Sequence, residues 1–201
     1  MATLNTTNIK HASSGSNNIV LAADGSTTIS GNATCSGTAT GFGGGKILQV
    51  QSTLITDVKS TTSTSFSDIS GFSVNITPSA TSSKVLVQLS MRVSGVDNEG
   101  FLQLIRSVGG SNTAIGNGTG GNHDAFQSTF QSSSRSGYYD YINASYTILD
   151  SPNTTSAVTY KVQWRLIQGS TLYLGRTGYS TTAANYSGSS SNTITVMEVG
   201  A

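Results

Sequence analysis

The sequence predicts an all-β protein, in which an antiparallel, jelly-roll-like β-sandwich follows an extended N-terminal arm. From residue 46 onward, apolar and polar residues alternate with a period of two, as in half-buried strands. Turn residues separate these runs at fairly regular intervals, and no segment has a helical period. Eight or so strands in about 155 residues fit a jelly roll better than an immunoglobulin domain.

The arm is predicted to span residues 1–45, which are mostly small and polar. Ile19-Val20-Leu21 and Thr27-Thr28-Ile29 are each predicted to form a short strand, with Asp24-Gly25 as the turn between them. Because an isolated two-stranded hairpin is marginal in water, we expect the arm to be disordered or to lie against another chain.

The arm is predicted to end in a hinge formed by Gly41, Gly43, Gly44 and Gly45, since glycine lowers the stiffness of the backbone. Lys46 follows these glycines, which suggests a phosphate-binding loop. That interpretation is disfavoured because Ile47 replaces the required Ser or Thr and no helix follows. The predicted domains are therefore the arm (1–45) and the sandwich (46–201).

The strands of the sandwich are predicted from alternation and from the turn residues between them. In chain order, they are centred on Ile47–Val50, Phe72–Ile76, Val85–Val93, Phe101–Arg106, Tyr141–Leu149, Val158–Leu166, Thr171–Leu174 and Asn192–Val199.

Charge is the unusual feature of the composition. Only 9% of the 201 residues are charged, against about 25% in typical proteins, and the net charge is +1. No basic cluster is present, so we expect no nucleic-acid partner. No apolar run approaches the roughly 18 residues of a membrane span, so we expect no membrane insertion. The N-terminal residues lack a signal-peptide pattern, which predicts synthesis in a cytoplasm without secretion.

No catalytic residue, cofactor or metal site is predicted. The segment Gly116–Gly121 matches GxGxxG, but no helix follows, so a loop is favoured. His123 and Asp124 are adjacent and no GxSxG motif is present, which disfavours a hydrolase. Asp97–Gly100 resembles a loose calcium loop, but a plain turn is favoured. Cys35 is the only cysteine, and with two histidines this leaves too few ligands for structural zinc.

Three tyrosines are candidates for recognition of a host-surface glycan or protein. Tyr138, Tyr139 and Tyr141 follow a polar loop, and tyrosine combines an apolar ring with a polar tip. The alternative is that they cap the core or lie at a subunit interface.

Several segments together resemble virion proteins of tailed bacteriophages, particularly phages of marine bacteria and cyanobacteria. They are MATLNTTNIKHASSGSNNIVLAADGSTTI, KILQVQSTLITD, TTSTSFSDISGFSVNITPSATSSKVLVQ, DSPNTTSAVTYKVQW and NTITVMEVGA. The resemblance implies a non-enzymatic virion component made in the host bacterial cytoplasm, forming a homotrimer and contacting other virion proteins. Its arm would dock on the virion through Ile19, Val20, Leu21 and Ile29.

Two virion roles fit this resemblance: a short tail-fibre-like adhesion protein, or a capsid decoration protein on the phage head. A carbohydrate-binding module is the alternative from another class, and a depolymerase is a further one.

Overall fold

The structure, a computed structural model, describes residues 7–17, 19–29, 46–95, 99–118, 125–130, 141–178 and 188–200. The chain divides into two compact units, residues 1–42 and 43–201. Every regular element in the described ranges is a strand, and the strand pairs are antiparallel, so the all-β prediction is confirmed. The predicted hinge glycines Gly41, Gly43, Gly44 and Gly45 lie outside the described residues.

The first unit contains a three-stranded antiparallel sheet in the order β1-β2-β3. Its strands are β1 (Asn8–Ile9), β2 (Ile19–Leu21) and β3 (Thr27–Ile29). Both predicted strands are present, joined by the predicted turn. Gly25 adopts a positive φ of 84°, and the Asp24 carboxylate accepts a hydrogen bond from the Ser26 amide at 2.8 Å.

The described part of the second unit contains eleven strands. They are β4 (Ile47–Ile55), β5 (Lys59–Thr61), β6 (Ser67–Ile76), β7 (Lys84–Gly95), β8 (Glu99–Val108), β9 (Ser111–Ile115), β10 (Gln127–Phe130), β11 (Ile142–Asp150), β12 (Val158–Gln168), β13 (Leu172–Leu174) and β14 (Asn192–Val199).

These strands form two sheets. In the β7 sheet the order is β4-β14-β7-β13-β5, and β11 also pairs with β7. In the β12 sheet the order is β10-β8-β12-β6, and β9 also pairs with β8. No helix in the described ranges has the length and apolarity needed to cross a membrane.

The core lies between the inner faces of the two sheets, whose buried side chains form one hydrophobic cluster. The predicted alternation accounts for it. Val85, Val87, Leu89, Met91 and Val93 of β7, together with Val158, Tyr160, Val162, Trp164 and Leu166 of β12, are all buried. Burial of one such side chain stabilises the fold by about 1.5–3 kcal/mol.

A bulge interrupts the alternation in β6. Ile69 and Phe72 are both buried although three positions separate them, and the register with β12 shifts between Asp68 and Ser73. Gly71 between them has a φ of 77°. Residues with a side chain rarely adopt this φ, whereas glycine adopts it easily. Gly71 therefore permits a one-residue bulge, and the bulge allows both Ile69 and Phe72 to point into the core.

Gly100 in β8 provides a test of the packing. A Cβ atom there would lie 2.6 Å from the Arg165 carbonyl oxygen and 2.5 Å from the Leu172 Cδ1. The backbone oxygen cannot rotate away, so we expect Gly100→Ala to lower the free energy of unfolding by about 1–3 kcal/mol in urea titration.

The matched control for this substitution is Gly118→Ala. The nearest atom to its Cβ would be the Ala125 carbonyl oxygen at 3.7 Å, an ordinary contact. We expect a change within about 0.5 kcal/mol for this control. Equal effects of the two substitutions would contradict the predicted clash at Gly100.

Candidate functional site

The sheet of the first unit presents a row of three isoleucines. Ile9 pairs with Ile19, and Ile19 pairs with Ile29, so the three side chains lie side by side on one face. Leu21 is two residues from Ile19 and shares this face. Ile9 and Ile29 are each 44% exposed and Leu21 is 40% exposed. We call these four residues the isoleucine face.

Three of the four predicted docking residues, Ile19, Leu21 and Ile29, therefore share one face. Val20 lies on the opposite face, between Asn8 and Thr28. Ile9 was not predicted, because only the pairing of β1 with β2 brings it into the row. No described residue of this unit is buried, so its described part contains no core of its own.

The second unit has two distinct ends, the base and the tip. At the base, the Gly200 amide donates a hydrogen bond to the Lys46 carbonyl oxygen at 2.9 Å, and Val199 pairs with Ile47. Both ends of the described chain in this unit therefore lie at the base. At the tip, β5 pairs with β13, and β13 pairs with the last residues of β7.

Tyr141 lies at the tip, immediately before β11. It is half-buried, and its hydroxyl donates a hydrogen bond to the Gly188 carbonyl oxygen. Also at the tip, the Arg176 guanidinium lies 3.8 Å from the centroid of the Tyr173 ring. Tyr138 and Tyr139 lie outside the described residues. Tyr173 and Arg176 are further side chains with polar ends at the tip, and neither was predicted from the sequence as a recognition residue.

A carboxylate with several donors lies at the base. Glu198 is fully buried. It accepts hydrogen bonds from the Gln49 Nε2 at 2.6 Å and from the Ser79 amide and hydroxyl at 2.7 and 2.6 Å. Burial favours a higher pKa, but the hydrogen bonds from Gln49, Ser79 and Ser83 outweigh it and lower the pKa of Glu198 to about 2. The carboxylate therefore ties β14 to β4 and to the β6–β7 connection.

A second polar cluster at the base joins the two sheets. Asp150 at the end of β11 accepts hydrogen bonds from the Tyr160 hydroxyl at 2.6 Å and from the Arg106 Nη1 at 2.8 Å. Burial, and then the hydrogen bond to Asp150, raise the pKa of Tyr160, so the phenol stays protonated and remains a donor. This arrangement cross-links β11 of the β7 sheet to β8 and β12 of the β12 sheet.

Neither cluster at the base has the form of a catalytic centre. Glu198 is closed off by its donors, and Asp150 is held between a phenol and a guanidinium. Among the described residues, no group of three or more His, Cys, Asp or Glu side chains could hold a metal ion. Asp97, His123 and Asp124 lie outside these residues, whereas Glu99 is the first residue of β8.

Comparison with known proteins adds no family assignment. No protein-family model matches the chain, and no curated protein matches it at a significant level.

Proposed function

We propose that this protein is a non-enzymatic virion protein of a tailed bacteriophage, a short tail-fibre-like adhesion protein that forms a homotrimer. The first unit docks on other virion proteins, and the second unit is the head that contacts the host surface. The resemblance of the sequence segments to phage virion proteins supports the class of protein. The observation that carries the docking role is the isoleucine face.

The isoleucine face supports docking because the described part of its sheet has no core that it could cover. Three strands with the exposed Ile9 and Ile29 on either side of the half-buried Ile19 gain burial by packing on another surface. At about 25 cal/mol per Å² of buried apolar area, covering such a row stabilises the contact appreciably.

The order of strands in the head supports a jelly roll. Taking β4, β6, β7, β8, β9, β11, β12 and β14 as strands one to eight, one sheet has the order 1-8-3-6 and the other 2-7-4-5. Several connections thus cross between the sheets, and the first and last strands are neighbours. A jelly roll in viral capsid proteins has two antiparallel sheets that contain eight strands in total, with the chain passing repeatedly from one sheet to the other.

The end at which the chain enters the head supports host contact at the tip. The chain enters the head at the base, at Lys46, so the tip is the end furthest along the head from that junction. Tyr141, Tyr173 and Arg176 give this end rings, hydroxyls and a cation. Such groups suit recognition of a host-surface glycan or protein. Tyr138 and Tyr139 are part of this proposal on their sequence positions alone.

The docking role is tested by charge substitutions on the isoleucine face of the full-length protein. We expect Ile19→Lys with Ile29→Lys to reduce the amount that co-purifies with phage particles by about tenfold or more, because an ammonium group is costly to bury in an apolar contact. Quantitative immunoblotting of purified particles measures this.

The control is Thr28→Lys, which puts one lysine, against two in the double variant, on the opposite face of the same sheet. It is expected to leave incorporation unchanged. A chain that starts at Lys46 should fail to join particles. Normal incorporation of that truncated chain, or of the double variant, would refute docking through the first unit.

The second candidate role is capsid decoration. It is favoured by the short sequence distance between the end of β3 at Ile29 and the start of β4 at Ile47, which leaves too few residues for a long shaft. A gold label on the N-terminus, located by electron microscopy of intact particles, distinguishes the two roles. Label on the tail supports the adhesion protein, and label on the capsid faces supports decoration.

A further inference from the structure

The outer face of the β7 sheet carries an apolar row that crosses four strands. Val50 of β4 pairs with Met197 of β14, Met197 pairs with Leu86 of β7, and Leu86 pairs with Leu149 of β11. Directly paired residues point to the same side of a sheet. We call these four residues the apolar band. Val50 is 52% exposed and Leu149 is 50% exposed.

The band points away from the core. On β7 and β14, the residues on either side of Leu86 and Met197 are Val85, Val87, Val196 and Glu198, and all four are fully buried. Because successive residues of a strand alternate between faces, Leu86 and Met197 lie on the outer face. The band is therefore a surface feature that the core of the head does not use.

The surface next to the band is almost free of charge. The neighbouring row consists of Thr147, Gln88, Thr195 and Ser52. In β4, β7, β11 and β14, the outward positions of this face carry two charged residues, Lys84 and Arg92, near opposite ends of β7. The outer face of the β12 sheet differs, because it carries the Lys161–Asp68 ion pair at 2.7 Å and the guanidinium of Arg165.

Strand β4 adds a sheet edge beside the band, and its Gln49 and Thr53 side chains donate hydrogen bonds to the Thr77 and Ser73 carbonyl oxygens. Among the described residues, β14 is its only strand neighbour, so β4 forms the edge of the β7 sheet. Its nine residues, ILQVQSTLI, contain no charge and no proline. Ile47, Leu48 and Leu54 are each about half exposed or more. Natural sheets protect long exposed edges with charges, prolines or a covering partner, and β4 has neither of the first two devices.

We propose that the apolar band and the β4 edge form the contact between copies of this chain. In a trimer, the surfaces that line the three-fold axis are the same in each copy, so like charge there would oppose association. This face avoids that penalty, because its band and the adjacent row are neutral. A face without acidic groups and with two separated cations gives little electrostatic attraction to a strongly charged partner, and a second copy presents a matching apolar face without net repulsion.

This inference locates the contact of the homotrimer and rests on the proposed function only for the number of copies. It is tested on the full-length protein in solution, without phage particles. If docking on the virion failed its test, the proposed contact between copies would still stand. If the contact between copies failed its test, the proposed docking would still stand.

The test combines Val50→Lys with Leu149→Lys and measures molar mass by size-exclusion chromatography with light scattering. We expect the wild type to have the mass of three chains and the double variant the 20.7 kDa of one. The matched control is Ile167→Lys, at an exposed apolar position of the β12 sheet, which should keep the wild-type mass. A monomeric wild type, or a double variant that keeps the wild-type mass, overturns the inference.

Cross-linking gives a second measurement that does not depend on disrupting the contact. In a Cys35→Ser background, Val50→Cys should form covalent dimers with a short bismaleimide, which joins two thiols, and Ile167→Cys should not. Equal cross-linking at the two positions overturns the inference, even if the lysine variants fail to fold.

Discussion

Replacing Glu198 with alanine is expected to lower the free energy of unfolding by about 2–3 kcal/mol, measured by urea titration. The substitution removes the acceptor for the Gln49 amide and for the Ser79 amide and hydroxyl, all within 2.7 Å of the carboxylate. Gln49 is half-buried and Ser79 is exposed, so water partly replaces the acceptor that they lose, whereas the buried Ser83 loses a partner that water does not replace, at a cost of about 1–3 kcal/mol. The effect is expected to exceed that of an ordinary surface substitution several times over.

Asp57→Ala is the matched control, because it removes a carboxylate that is 79% exposed. It should change the free energy of unfolding by at most about 0.5 kcal/mol. Similar losses in the two variants would contradict a special role for the buried carboxylate.

The free energy of unfolding is expected to depend on pH through the Glu198 carboxylate. The pKa of Glu198 is lowered from 4.5 to about 2 on folding. The unfolded state therefore binds more protons in this range, and the stabilisation present above pH 4.5 is lost as the pH falls towards 2. Glu198→Gln removes the titration, so its stability should depend less on pH between these values. An unchanged acid profile in this variant would show that other groups dominate.

Asp150→Ala is the second substitution expected to have a large effect, with a loss of about 3–5 kcal/mol. It leaves the buried Tyr160 hydroxyl without its acceptor and the Arg106 guanidinium without its counter-ion. Because the three groups come from β11, β12 and β8, the substitution also removes a polar cross-link between the sheets. Thermal and urea unfolding, followed by far-UV circular dichroism, measure the loss.

Two controls separate these contributions. Asp68→Ala removes the carboxylate of an ion pair on the outer surface, where the Asp68 side chain is 48% exposed, and should cost at most about 1 kcal/mol. Tyr160→Phe keeps the buried ring and removes one donor, so it should cost less than Asp150→Ala. A loss from Asp68→Ala as large as that from Asp150→Ala would contradict the assignment of the cross-link.

The sequence predicts the long strands because each buries every second residue in one core. The alternation in Val85–Val93 and Val158–Leu166 specifies both the element and its inward face. Strands β1, β5, β9 and β10, of two to five residues each, were not predicted, since they show no comparable alternation. Bulges escape prediction as well, because Gly71 shifts the phase between Ile69 and Phe72.

The buried polar groups could have been found from the same alternation. Glu198 continues the phase of Ile194 and Val196, and Asp150 continues the phase of Ile148, so both carboxylates stand at inward positions. Their partners come from distant parts of the chain. Ser79 lies 119 positions from Glu198, and no local pattern indicates that pairing.

The surface rows depend on register rather than on local sequence. Val50, Leu86, Leu149 and Met197 are unremarkable outward residues in their own strands, and only the pairing of those strands aligns them. The row of Ile9, Ile19 and Ile29 arises in the same way from three short strands.

The hydrogen bond between Gly200 and Lys46 places the two chain ends of the head side by side. A short linker could join them, so we expect the head to tolerate circular permutation with new termini opened elsewhere on its surface. A fluorescent tag fused after residue 201 would lie at the base, near Lys46, and leave the tip unobstructed. Peptides meant for display are better grafted at the tip, away from Lys46 and Gly200.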